Sequence, residues 1–179
     1  MSKLTLKTEG DRHVVVTRRF AATPEAVYRA HAEPKLIQRW MLGPDGWTMP
    51  VCVCDARPGG KFRYEWADGK GRGFYITGEL MELEPFSRIV HVERMHLPDP
   101  TPDNHIETRF DADGGGTLMI MRMTLPDAAA RAAWRISGSF RAGDRAPQRF
   151  HSAGPSHDHS LFGHYVGRNS GCDRVFHLG

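Results

Sequence analysis

The spacing of apolar positions changes twice along this chain. Residues 3–8 (KLTLKT) and 12–20 (RHVVVTRRF) alternate polar and apolar side chains, the period of an extended strand, and Glu9-Gly10-Asp11 between them suits a tight turn. From residue 23 the spacing lengthens to three and four. Thr23 is placed to cap a helix, Pro24 loses no hydrogen bond at the first helical position, and Glu25 meets the positive end of the helix dipole. Val27, Ala30 and His31 then share one face. A second helix starts at Glu33-Pro34, carries Leu36, Ile37 and Trp40 as an apolar stripe, and stops at Gly43-Pro44-Asp45-Gly46.

Beyond residue 46 the period returns to two, over segments 47–55, 60–68, 73–84, 88–97, 105–113 and 116–125. Turn signals separate them, among them Pro58-Gly59-Gly60, Asp68-Gly69-Lys70-Gly71, a Pro-rich stretch at 98–104 and Gly114-Gly115-Gly116, so the segments predict an antiparallel meander. Phe62, Tyr64 and Trp66 fall on one face and Lys61, Arg63 and Glu65 on the other, while Met119, Met121, Met123 and Leu125 line up in the last segment. One side of the sheet is therefore aromatic and Met-rich, and must be covered or hollow. A helix beginning at Pro126-Asp127-Ala128, with high propensity through residue 134, is the expected cover. After Trp134 neither period persists. The remaining residues contain no Lys, Glu or Met and are rich in Arg, Gly, Ser and His.

Composition narrows the function classes. The 179 residues suit one domain with some extra, and 40% hydrophobic with 25% charged residues is ordinary for a globular protein. A formal net charge of +3 with no run of basic residues gives no footprint for nucleic acid, and Arg18-Arg19 reads as part of a solvated strand face. No stretch approaches the roughly 18 apolar residues of a membrane span, and the N-terminus holds no apolar signal core, so a cytoplasmic protein without a membrane partner is expected. Cys52 and Cys54 point the same way on a strand, which closes a disulfide poorly; with Cys172 they are expected to be reduced thiols.

Motifs between residues 15 and 97 carry a resemblance. Trp40 with Gly43-Pro44, the stretch GWTMPVC, Asp55-x-Arg57-Pro58-Gly59-Gly60, Gly78-x-x-x-Glu82, Pro85 and Arg88-Ile89-Val90-His91 occur in order, followed by Gly-Gly-Thr-Leu at 115–118. Together they resemble the activator of Hsp90 ATPase homologue branch of the SRPBCC superfamily, over about residues 3–133. The resemblance implies an α+β helix-grip fold. Its parts are a curved antiparallel sheet of six to seven strands, two short helices after the first strand, and a C-terminal helix, enclosing a cavity that in many members holds an apolar small molecule. Relatives carry a large aromatic where this chain has His31, and end in a long amphipathic helix that Trp134 onward does not match. That helix is therefore expected to be truncated or replaced, with domain 1–136 followed by an atypical tail, 137–179. The tail composition suits another reading frame of a GC-rich gene, with the change near residues 131–137. Loss of the covering helix would expose the aromatic face and favour homodimers.

The cavity-lining set expected from the strand faces and the resemblance is Trp40, Trp47, Phe62, Tyr64, Trp66, Phe74 and Met121, with the Tyr and Trp polar tips as ligand-orienting groups. Cys52-x-Cys54 lacks the further ligands of a zinc site, and His151, His157, His159 and His164 in the tail resemble a metal tract only by composition, so neither metal nor cofactor is expected. No nucleophile elbow, zinc-protease or phosphate-loop motif occurs, and no catalytic residue is assigned. His91 and Glu93 share a strand face and would make an acid–base pair if turned inward; Val90 and Val92 are the expected inward residues instead. Asp55 and Arg57 read as a structural ion pair. The expected function is binding of a small hydrophobic or amphipathic ligand in the cavity, without enzymatic activity. The alternatives are a co-chaperone-like domain acting on an Hsp90-type ATPase, for which the chain shows no room for a partner-binding segment before residue 12, and a cavity enzyme of cyclase or hydrolase type using Tyr64 or His31.

Overall fold

The computed structural model describes residues 4–42, 45–97 and 99–131. The tail 137–179, with its histidines and Cys172, and the expected continuation of the helix from residue 132 to 134 lie outside the described residues.

Two strands open the chain, β1 (Thr5–Glu9) and β2 (His13–Phe20), followed by helices α1 (Pro24–Ala32) and α2 (Pro34–Trp40). The meander follows as β3 (Thr48–Cys54), β4 (Lys61–Ala67), β5 (Gly73–Glu84), β6 (Arg88–Leu97), the two-residue β7 (Asp99–Pro100), β8 (Asn104–Asp113) and β9 (Gly116–Thr124). The strands form one antiparallel sheet in the order β1-β2-β9-β8-β6-β5-β4-β3, with β7 alongside β6. Its main path holds more strands than the expected six to seven, and the helices follow the second strand. Both differences arise because the two N-terminal segments form a hairpin, with Glu9 opposite His13, and both strands join the sheet. The pairing of β2 with β9, from His13 opposite Thr124 to Phe20 opposite Thr117, brings the start of the sequence against the end of the sheet.

The helix ends follow their expected chemistry. The Thr23 side chain accepts a hydrogen bond from the Ala26 N–H at 3.3 Å, and Pro24 occupies the first turn of α1. Glu33 precedes α2 without capping it through its side chain and pairs with Arg29 at 2.5 Å. Val27, Ala30 and Ile37 are fully buried and Trp40 nearly so. Each large apolar side chain removed from water contributes about 1.5–3 kcal/mol, enough to seat two helices too short to persist alone. The indole N–H of Trp40 donates to the Ala30 carbonyl at 2.8 Å, and that of Trp66 to the Met41 carbonyl at 2.8 Å, fastening α1 to α2 and α2 to β4.

The sheet curls around these helices. Val16 on β2 and Phe62 on β4 line one cavity, although four strands separate theirs. At about 4.8 Å per strand, a flat sheet would hold them about 24 Å apart. Register shifts between Leu80 and Glu82 and between Thr48 and Val51 mark where β5 and β3 bend. At the far end Asp127 starts a helical turn, its carboxylate accepting from the Ala130 N–H at 2.7 Å, and residues 128–131 are helical.

Two expectations about facing are corrected. Arg18 does not lie on a solvated face. It shares the inner face of β2 with Val14, Val16 and Phe20 and is 7% exposed, whereas Arg19 points outward to Asp113 at 3.0 Å. On β6 it is Ile89, His91, Glu93 and Met95 that turn inward, with Glu93 2% exposed, and Val90 and Val92 take the outer face. Buried Ile89 and Met95 set the parity of the whole strand.

Candidate functional site

Between the inner sheet face and the two helices lies a cavity of about 80 Å³. Its wall is built from β2 (Val16, Arg18, Phe20), β9 (Met119, Met121), β8 (Thr108), β6 (Ile89, His91), β5 (Leu80) and β4 (Phe62, Tyr64), closed by His31 of α1 and by Trp40 and Met41 at the end of α2. That volume holds several waters or one compact organic molecule, and is small beside the roughly 300–1,000 Å³ of sites for drug-sized ligands.

The expected lining residues divide into two groups. Trp40, Phe62, Tyr64 and Met121 line the cavity. Trp47, Trp66 and Phe74 gather elsewhere: Trp66 stacks on Phe74 with centroids 4.7 Å apart, and Trp47 packs against Phe74 at 5.6 Å. The two groups meet where Tyr64 presents its ring to the edge of Trp66 at 6.4 Å, next to the Phe62–Tyr64 stack at 5.0 Å. The Trp40 and Trp66 N–H groups serve backbone carbonyls, so they fix the helices and do not orient a ligand.

Polar groups at the cavity are few and specific. Arg18 extends over the Phe20 ring, its guanidinium carbon 5.0 Å from the centroid. His31 shares a hydrogen bond with the Val27 carbonyl at 2.7 Å and lies between the rings of Trp40 (4.9 Å) and Phe110 (5.3 Å). Burial, with smaller contributions from nearby Arg18 and His91, pulls its pKa down to about 4 against the Val27 hydrogen bond, so the imidazole is neutral at pH 7. The His91 ring meets Phe62 edge-on at 5.4 Å, with Nε2 3.4 Å from a carboxylate oxygen of Glu93. Arg18, His91 and Glu93 were legible only through strand parity, because each belongs to a run whose apolar members fix the inner face.

Other candidates play structural parts. Asp55 and Arg57 form an exposed ion pair at 2.8 Å. Cys52 and Cys54 are free thiols, and burial pushes Cys52 up to about 12. Among the described residues no cluster of three His, Cys, Asp or Glu is placed to hold a metal ion, and no helix is long and apolar enough to cross a membrane.

An open, curled antiparallel sheet closed over a small apolar cavity by two short helices defines a helix-grip protein of the SRPBCC type. The sequence model described as "Activator of Hsp90 ATPase homolog 1-like protein" matches residues 21–145, and the chain belongs to that family. The match crosses residues 131–137 and ends within the tail. Among solved structures, a protein from Rhodobacter sphaeroides shares 27% identity at a TM-score of 0.71, over 76% of this chain and 88% of its own. Two more distant likenesses concern the fold alone. A protein from Nitrosomonas europaea has 18% identity and TM-score 0.68, over 94% of this chain and 96% of its own. A solution structure from Arthrobacter aurescens has 13% identity and TM-score 0.70, over 98% and 92%. A search of curated proteins finds no match.

Proposed function

We infer that this protein binds a small hydrophobic or amphipathic molecule in the cavity between the sheet and α1–α2. The observation that carries the reading is the lining: a continuous apolar wall from Val16 through Met119 and Met121 to Phe62 and Tyr64, broken by a few convergent polar groups. Methionine side chains adapt to ligand shape at little strain, which suits loose specificity. Benzyl alcohol, followed by NMR chemical-shift changes, is a suitable probe. Met121→Trp fills the cavity and is expected to abolish the shifts, whereas Trp47→Ala, in the separate aromatic group, leaves them in place. Binding that survives Met121→Trp would place the ligand elsewhere.

A second reading, a cavity enzyme, draws on the inward His91–Glu93 pair, which has the composition of a base and its orienting carboxylate.

A further inference from the structure

Two neighbouring polar groups on the cavity wall, His31 and Thr108, narrow the ligand class, on the basis of the binding reading above. The register places Val16 on β2, Met121 on β9, Thr108 on β8 and Ile89 on β6 in one row across the sheet, and all four line the cavity. Thr108 alone in that row is polar, where valine, of the same shape, would continue the apolar wall. It is 3% exposed, and its hydroxyl has no hydrogen-bond partner among the described residues. Thr117, as deeply buried, donates its hydroxyl to the Ala22 carbonyl at 2.7 Å. A buried hydroxyl without a partner costs stability, so its place on a cavity wall points to a ligand.

His31 stands beside it. Its ring lies 5.3 Å from that of Phe110, which shares the inner face of β8 with Thr108, about 7 Å along the strand. The Val27 carbonyl, 2.7 Å from Nδ1, can only accept, so Nδ1 carries the ring proton. Because the imidazole is neutral at pH 7, Nε2 at the far end of the ring keeps a lone pair, with no hydrogen-bond partner among the described residues. The pair therefore offers an acceptor at His31 and a donor at Thr108. Ethers, ketones and carboxylates have no proton for Nε2, and a cation would carry its charge into a largely apolar enclosure. A neutral hydroxyl serves both groups at once.

We propose that the cavity takes a compact neutral hydroxyl compound, a phenol or a short alcohol, whose O–H donates to His31 Nε2 and whose oxygen accepts from the Thr108 hydroxyl. Its hydrocarbon body lies against Phe62, Met119 and Met121, and the volume of about 80 Å³ selects a single ring or a short chain over a long tail.

The test compares phenol, anisole and toluene on the full chain by titration calorimetry at pH 7.5, where phenol is neutral. All three carry one ring; anisole keeps the oxygen without its proton, and toluene has neither. On a wall without polar groups the phenol hydroxyl would be buried unserved, weakening phenol against toluene by about 5- to 150-fold. Wild-type protein is instead expected to bind phenol at least as tightly as toluene, and about tenfold more tightly than anisole, the value of one hydrogen bond. Thr108→Val should weaken phenol about fivefold or more and leave toluene unchanged, while Thr108→Ser, which keeps the hydroxyl, should stay near wild type. His31→Phe should bring phenol and anisole level. The wild-type order decides the matter even if a variant fails to fold. Toluene binding more tightly than phenol in wild type would overturn the hydroxyl assignment while leaving the apolar-ligand reading intact. Anisole binding as tightly as phenol would overturn it too, by showing that no proton is given to His31. Absence of binding by all three would overturn both.

Discussion

The ring of Phe62 lies over Gly78 on the neighbouring strand. The two are paired across β4 and β5, and a Cβ built on Gly78 would stand 2.3 Å from the Phe62 Cζ and 2.3 Å from the Val92 carbonyl oxygen. The ring is held on its other sides by the stack on Tyr64 and the edge contact with His91, so it cannot swing away freely. The Val92 oxygen belongs to the backbone of β6 and cannot move without disturbing the ladder. The absent side chain at residue 78 is what lets an aromatic wall form on the inner face.

Gly78→Ala should therefore destabilise the protein by about 1–3 kcal/mol through overpacking, although alanine is otherwise the milder residue in a strand. Urea unfolding followed by tryptophan fluorescence measures this. An unchanged midpoint would mean that the β5–β6 ladder yields more readily than the contacts imply.

His31 predicts a dependence of stability on pH. Its folded pKa is about 4 and its unfolded value about 6.5. Between those values the unfolded chain holds a proton that the folded chain refuses, so stability falls as pH drops from about 6.5 to 4 and is unaffected by this group above 6.5. The loss is on the order of 3 kcal/mol at 1.36 kcal/mol per pH unit. His31→Phe keeps the ring between Trp40 and Phe110 and removes the proton. Its stability should decline less than wild type over that range; His96, whose pKa is also lowered by burial and then by Arg94 and Arg63, contributes to both proteins and cancels in the comparison. Parallel curves for the two would refute the assignment.

Much of this architecture was readable in the residues. The turn at Glu9-Gly10-Asp11, the Thr23 cap and the alternating meander each rest on local chemistry that tertiary context does not override, and all appear where expected. Half of the aromatic set could not be assigned to the cavity, because strand parity says which face Trp66 and Phe74 occupy but not which part of a curled sheet lies under a helix. Arg18 and His91 failed for a different reason. Polarity argues for solvent at each residue taken singly, yet Val14, Val16 and Phe20 outweigh Arg18 on β2, and on β6 Ile89 and Met95 outweigh His91 together with Glu93. A residue that breaks the polarity rule while keeping the parity of its strand is the signal that points to the site.

Glu93 is the most costly such residue. Its side chain is 2% exposed, and neither carboxylate oxygen has a hydrogen-bond partner among the described residues; His91 Nε2 stands 3.4 Å away. Across the ladder it faces Gly78 on one side and Asn104 on the other. A carboxylate removed from water without donors loses its hydration, and one imidazole beyond good hydrogen-bond length returns only part of it. Replacing such a group by an apolar side chain of similar length removes the desolvation cost and keeps the packing. Glu93→Met is thus expected to raise stability by roughly 1–3 kcal/mol at pH 7.5. Thermal and urea unfolding of the variant beside wild type measure the change. A loss of stability of comparable size would show that the carboxylate is engaged, by buried water or a proton shared with His91, and would move the His91–Glu93 pair from structural burden to working acid–base couple. A matching loss in His91→Phe, non-additive in the double variant, would locate that coupling in the pair itself.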